Sequence, residues 1–260
     1  MQPIEILPEP PDHLDLEAEL DALARRYRAA SGVGIQALNL IGGQTESLLA
    51  RLPDRVRDGL TGQTEAALRL ALRAAQSSRR RVPDQPGWLN TAVTTAMGAA
   101  GGAGGLPTAL AELPVTTTVL LRAIQGIAAH HGFDPEEEGV QFDSIQVFAT
   151  AGPLEEDDGS DLAFLATRVL VTGGAIQGLI ARVAPRLAVV LGQKLAAQTV
   201  PVLGAVAGAA TNYAYTSYYQ EMAHVHFGLR RLAITADRDQ AELVADLRQR
   251  IKLPPIKRAG

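Results

Sequence analysis

Apolar residues recur at helical spacing along most of the chain. In the first such segment Leu16, Leu20 and Leu23 are separated by charged residues, and Gly32 and Gly34 are expected to interrupt the helix. Comparable apolar faces recur several times before the C-terminus. The best strand candidate, 140–148, alternates imperfectly and follows a helix start signal. The pattern therefore predicts an all-α protein, a compact multi-helix bundle.

Capping residues predict where several helices begin and end. Pro53 stands where a helix would begin, and Gly132 where one would end. Asp134 followed by Pro135 and three glutamates is a strong start signal, because acidic residues favour the positive end of the helix dipole. Asp237 is predicted to cap the last helix. The expected organisation is a flexible tail over 1–12, one helical domain over 13–252 and a second tail over 253–260.

Two long stretches of the chain carry no charge. They span 85–111 and 195–220, and they contain Gly101-x-x-x-Gly105 and Gly204-x-x-x-Gly208. Each is long enough to cross a bilayer, and glycines at this spacing let two helices approach closely. The same glycines would serve a tightly packed soluble core equally well. Three interpretations follow: buried core, segments lying on a membrane surface, and spanning helices. The mean hydropathy of +0.05 argues against the last.

Composition narrows the class of protein. Apolar residues make up 47% of the chain, which is enough for a core and excludes global disorder. The absence of cysteine excludes a disulfide scaffold and a thiolate metal site. The net charge of −4 gives no reason to expect nucleic-acid binding. The proline-rich, acidic start has no secretory signal pattern, so a cytoplasmic location is expected.

Candidate chemistry is sparse, and the catalytic residues stay unknown. Phosphate-binding, hydrolase and zinc-protease motifs are missing. Glu221 and His224 share a helix face and form half of a di-iron motif, but the second half is missing, so neither a metal nor a cofactor is predicted. Glu112, Arg122 and Asn212 are polar residues in apolar surroundings, and a buried charge needs a partner. Pairing of Arg122 with Glu112 or Glu221 is therefore expected. All five residues together define a candidate ligand pocket.

A basic stretch precedes the first uncharged run. Arg79, Arg80 and Arg81 would favour anionic headgroups, and Trp88 would favour the membrane interface. These four residues form the candidate membrane-surface site. The alternative is that the arginines interact with the C-terminal carbonyls of the preceding helix.

Three stretches together resemble the EcsC family. They are AGGAGGLPTALAELPVTTTVLLRAIQGIAAHHGFD (100–134), VFATAG (147–152) and TVPVLGAVAGAATNYAYTSYYQEMAHVHFGLRRL (199–232). The resemblance covers about residues 80 to 235. It implies a bacterial helical protein linked to membrane transport or envelope processes, because the family takes its name from an operon that also encodes an ABC transporter. The family has no established reaction, so no active site is carried over.

Two functions follow from the sequence. The first is a non-enzymatic accessory protein at the cytoplasmic face of the inner membrane, whose partner is an anionic membrane surface or a transporter component. The second is a soluble helical ligand-binding protein or enzyme that uses the polar pocket.

Overall fold

The described part of the chain is entirely helical where it has regular structure. The computed structural model describes residues 15–41, 52–79, 81–148, 175–197 and 203–252. The expected tails and Arg80 lie outside these residues. Within them are eight helices: α1 (Leu16–Ile41), α2 (Asp54–Arg79), α3 (Gly87–Ala103), α4 (Gly105–His130), α5 (Glu138–Phe148), α6 (Ala175–Ala197), α7 (Leu203–Thr235) and α8 (Gln240–Lys252). The predicted all-α class is confirmed.

The long helix α7 lies at the centre of the packing. It packs most extensively against α3 and α1, and it also contacts α4, α5, α6 and α8. Its C-terminal two thirds contribute large, fully buried side chains to the main core, among them Tyr219, Met222 and Phe227. A smaller core lies around Leu60, Leu113 and Leu195. Because α7 contacts so many elements, its residues connect the sites described below.

Glycine brings α3 and α7 into backbone contact. A Cβ atom added to Gly98 would overlap the carbonyl oxygen of Gly208, and one added to Gly102 would overlap that of Gly204. Close helix approach at Gly204-x-x-x-Gly208 is thus confirmed, but its partner on α3 is Gly98-x-x-x-Gly102. The predicted partner residues have other roles: Gly101 faces Glu112, and Gly105 has a positive φ of 71° at the junction of α3 and α4.

Several predicted helix boundaries are confirmed and others are wrong. Gly132, with a φ of 85°, follows the end of α4 as predicted. Gly32 and Gly34, however, do not interrupt α1, because glycine only weakens a helix that packing stabilises, and α1 packs along α7. The segment 140–148 is helical, as predicted, within α5.

Two aspartates near helix starts act differently from the prediction. The Asp134 carboxylate accepts a hydrogen bond from the Glu136 amide at 2.8 Å, which closes a turn, and α5 begins only at Glu138. The cap of α8 is Asp239, which accepts from the Ala241 amide at 2.8 Å and the Glu242 amide at 3.3 Å. Asp237, the predicted cap, instead occupies the left-handed region, with a φ of 50°.

Candidate functional site

A buried polar cluster joins four helices. Its members are Thr94 (α3), Glu112 and Thr116 (α4), Lys194 (α6) and Asn212 (α7). Oε1 of Glu112 accepts hydrogen bonds from Lys194 Nζ at 3.1 Å, Asn212 Nδ2 at 2.7 Å and Thr116 Oγ1 at 2.8 Å. Asn212 Nδ2 also donates to the Thr94 carbonyl at 2.6 Å. The charged side chains are 3% (Lys194) and 6% (Glu112) exposed, so the ion pair is withdrawn from water.

Burial shifts the pKa of the lysine in this cluster. Desolvation lowers the pKa of Lys194 below its ordinary value of 10.5, and the Glu112 carboxylate opposes that shift only in part. Glu112 Oε2 and Asn212 Oδ1 are buried without a hydrogen-bond partner among the described residues. Glu112 Oε2 occupies the space that a side chain on Gly101 would fill. Gly101 therefore makes room for the carboxylate.

A small cavity adjoins the cluster. It measures about 20 Å³, and its wall includes Thr116, Lys194 and Asn212 together with aromatic residues such as Tyr215 and Tyr219. A volume of this size accommodates one water molecule, since a water site needs roughly 10–15 Å³. It does not accommodate an organic ligand. The cluster thus holds α3, α4, α6 and α7 together around one buried ion pair.

The five residues of the candidate pocket lie in three places. Glu112 and Asn212 meet in the buried polar cluster. Arg122 lies ten residues further along α4, roughly 15 Å away at 1.5 Å per residue. Its guanidinium donates to the Val82 carbonyl at 2.7 Å and pairs with Asp84 at 3.2 Å. The predicted pairing of Arg122 with Glu112 or Glu221 is therefore wrong.

Glu221 and His224 lie where α7 meets α1 and the end of α4. Glu221 pairs with Arg26 at 2.8 Å, and Nδ1 of His224 lies 3.2 Å from Nε2 of His131. The rings of His130, His131 and His224 have centroids 5.4 to 6.1 Å apart. We refer to these three residues as the histidine cluster. Within the ranges that the structure describes, no set of three or more potential ligands is placed to hold a metal ion.

Half-buried imidazoles in the histidine cluster resist protonation. Burial lowers the pKa of His131 to about 4, and the neighbouring His130, Arg26 and Arg231 add to the shift. Burial lowers the pKa of His224 to about 3, and Arg26 is the leading charged neighbour of this ring. Both rings are therefore neutral near pH 7, which suits a hydrogen bond between the two ring nitrogens.

The arginine stretch is only partly available to a partner. Nη2 of Arg79 binds Asp84 at 2.5 Å, and the Arg79 side chain is 18% exposed. Arg81 is exposed, and Trp88 is 71% exposed at the start of α3. Of the predicted membrane-surface residues in the described ranges, Arg81 and Trp88 can contact a partner freely. Arg79 is already occupied by an internal ion pair.

The two uncharged runs share a solvent-facing side. The faces of α3 and α7 that do not meet each other or the core form an open groove of about 650 Å³. We call this the α3/α7 groove. Its nine lining residues are all uncharged: Trp88, Thr91, Ala92, Thr95, Ala96, Ala99, Ala209, Tyr213 and Ser217. Tyr213 in the groove is 51% exposed, and Val206, three residues before Ala209 on α7, is 65% exposed. In the parts of the chain that the structure describes, no helix combines the length and apolar character needed to cross a bilayer.

Sequence reasoning missed Lys194, Val206 and Tyr213. Lys194 is the single charged residue in the largely apolar stretch 187–200, and that isolation was an available signal of a buried pair. Val206 and Tyr213 are seven residues apart and so share one helix face. Nothing in the sequence says that this face points outward while the glycine face of the same helix points inward.

These features describe an all-α protein with a glycine-mediated helix pair, a buried ion pair and an uncharged outer groove. The chain belongs to the EcsC protein family, whose family model matches residues 79–232, more than half of the 260 residues. The match spans α3 to α7 and so includes the buried polar cluster, the histidine cluster and the groove. No curated protein and no solved structure matches the chain.

Proposed function

We propose that this EcsC-family protein is a non-enzymatic accessory protein that binds the cytoplasmic face of the bacterial membrane through the outer surface of α3 and α7. The observation that carries the proposal is the uncharged outer surface of α3 and α7, on which Trp88, Val206 and Tyr213 are each more than half exposed. Exposed apolar surface marks sites that contact a partner or a membrane. The operon from which the family takes its name supports a location beside an ABC transporter.

The chemistry of this surface fits a membrane interface. Trp and Tyr are enriched at the level of the lipid headgroups, because the apolar part of the ring contacts lipid while its polar group contacts water. The exposed Arg81 and Asp84 shortly precede Trp88 along the chain. Asp84 pairs with both Arg79 and Arg122, so this ion-pair group carries a net positive charge. Each basic residue near an anionic surface contributes about 1 kcal/mol of attraction. The protein would therefore lie on the bilayer surface.

The alternative, a soluble ligand-binding protein or enzyme, keeps the buried polar cluster as its site. Its support is the pair of buried oxygens, Glu112 Oε2 and Asn212 Oδ1, that have no partner among the described residues. The adjoining cavity of about 20 Å³ is too small for an organic ligand. The outer surface is thus the better supported site of interaction.

Co-sedimentation with lipid vesicles tests the membrane proposal. Wild-type protein is compared on vesicles with and without anionic phosphatidylglycerol. Val206→Asp places a charge on the proposed surface, and Val115→Asp is the matched control on α4, since the two valines are 65% and 54% exposed. We expect V206D to weaken binding by about tenfold or more, because a charged side chain is costly at an apolar membrane contact.

The control and the lipid dependence decide the outcome. V115D should bind like the wild type, and Arg81→Gln should weaken binding to anionic vesicles alone. Absence of binding to both vesicle types would contradict the proposal. Equal effects of V206D and V115D would also contradict it, because they would show that the α3/α7 surface is not the contact.

A further inference from the structure

We propose that the α3/α7 groove takes up a single lipid acyl chain. The inference rests on the proposed function, since the bilayer supplies the chain. The inference places a specific binding site within the proposed membrane-contacting surface. One hydrocarbon tail lies in the cleft between α3 and α7, and it is flanked by Trp88 and Tyr213.

The two threonine hydroxyls in the groove, those of Thr91 and Thr95, are already engaged. The Thr95 hydroxyl donates to the Thr91 carbonyl at 2.6 Å, and the Thr91 hydroxyl donates to the Gly87 carbonyl at 3.1 Å. The Thr91 hydroxyl also accepts a hydrogen bond from Gln220 Nε2 at 2.8 Å. Four of the other lining residues are alanines: Ala92, Ala96, Ala99 and Ala209. A lining without charge and with its threonine hydroxyls engaged offers little to a phosphate or a peptide backbone, whereas it suits hydrocarbon.

The close approach of α3 and α7 favours a hydrocarbon chain over a helix as the occupant of the groove. Helices usually pack with their axes about 8–10 Å apart, and contacts through small residues such as Gly98 and Gly102 bring the backbones closer. The cleft above such a pair lies between helix axes that are closer together than the width of an α-helix with its side chains, which is about 10–12 Å. A flexible acyl chain, one methylene wide, fits this shape better.

The groove by itself is too small for a stable dimer contact. Nine residues line it, whereas a stable protein interface takes roughly 20–30 residues from each partner. Along α3 the lining runs from Trp88 to Ala99, about 16 Å at 1.5 Å per residue. That length takes up the greater part of a single extended hydrocarbon tail.

The only tryptophan in the chain lines the groove, so its fluorescence reports occupancy directly. The probe is dibromostearic acid, a brominated fatty acid that quenches tryptophan on contact, added to the full chain below its micelle concentration. We expect saturable quenching of Trp88 with one fatty acid per protein. Ala96→Phe, which fills the groove, should raise the dissociation constant by about tenfold or more.

The matched control is Ala245→Phe, since Ala245 is an exposed alanine on α8, far along the chain from the groove. It should leave the quenching curve unchanged. Circular dichroism and thermal melting confirm that both variants are folded, and Ala92→Phe provides a second groove-filling variant. Non-saturable quenching, or equal quenching in A96F and A245F, overturns the inference. A dimer of the protein in the presence of the probe overturns it as well.

Failure of this inference is distinguishable from failure of the proposed function. Vesicle binding that V206D weakens, without saturable quenching by the monomeric fatty acid, keeps the membrane proposal and overturns the acyl-chain site. Saturable quenching that A96F abolishes, without vesicle binding, supports the acyl-chain site and contradicts the membrane proposal.

Discussion

Removal of Lys194 tests the energetic role of the buried polar cluster. Lys194→Met keeps a flexible apolar stem and deletes the ammonium group, which leaves the Glu112 carboxylate, only 6% exposed, without its counter-ion. Thr116 and Asn212 still donate to Glu112 Oε1, but Oε2 has no donor among the described residues. Breaking a buried ion pair on one side costs about 3–5 kcal/mol, because an uncompensated charge is left behind. We expect K194M to lower the free energy of unfolding by this amount.

A second substitution separates the stability lost with the ion pair from the stability lost through poorer packing. In the double variant E112Q/K194M the carboxylate is replaced by a neutral amide that needs no counter-ion, so most of the loss should be recovered. The matched control is Arg69→Met, because Arg69 and Glu65 form an ion pair whose side chains are 36% and 34% exposed. A surface pair of this kind contributes about 0.2–1 kcal/mol.

Urea denaturation followed by circular dichroism compares the wild type with K194M, E112Q, E112Q/K194M and R69M. The double variant should be more stable than K194M alone, which is the signature of strong coupling between two residues in contact. The reasoning is refuted if K194M costs no more than R69M, or if the losses of K194M and E112Q simply add.

Two further predictions concern the histidine cluster and the α8 cap. The pKa values of His131 and His224, about 4 and about 3, lie below the ordinary 6.5, so the unfolded chain binds more protons between about pH 6.5 and 3. The free energy of unfolding should therefore fall as the pH drops through that window. Urea titrations at several pH values should show a shallower fall for His224→Gln than for the wild type. An equal dependence of the free energy of unfolding on pH in the two proteins would contradict this. Asp239→Ala removes the cap of α8 and should lower the free energy of unfolding by about 1 kcal/mol. Asp237→Gly should cost no stability, because glycine suits the left-handed backbone at this position. Thermal melting compares the two variants, and a lower melting temperature for Asp237→Gly than for Asp239→Ala would refute the assignment of Asp239 as the cap.

Much of the fold could be predicted from sequence because helix formation leaves local signals. Apolar periodicity located the helices, and Gly132 located the end of α4. Gly32 and Gly34 gave a false signal, since the packing of α1 against α7 overrides a weak local preference. Asp237 and Asp239 were indistinguishable as caps without the backbone angles.

The candidate site could be predicted only in part, because partners depend on tertiary packing. Polar residues in apolar surroundings pointed correctly to a buried charge at Glu112. Its partner Lys194 lies 82 positions away on α6, and only the arrangement of α4 and α6 brings the two together. The same holds for Arg122, which pairs with Asp84 in the loop before α3. Local periodicity carries no information on such distant pairs.

The central claim is that glycines on α3 and α7, which carry no side chain, let these two uncharged helices pack backbone to backbone. Gly102→Ala tests it most directly, because the added methyl group would overlap the Gly204 carbonyl, and Gly62→Ala on α2 is the control, with no neighbouring atom within 4 Å of an added Cβ. Overpacking of this kind costs about 1–3 kcal/mol, so G102A should lower the free energy of unfolding in urea by about that amount. G62A should raise it by roughly 0.5–1 kcal/mol, since alanine favours an exposed helix position. A G102A protein as stable as G62A would contradict the account.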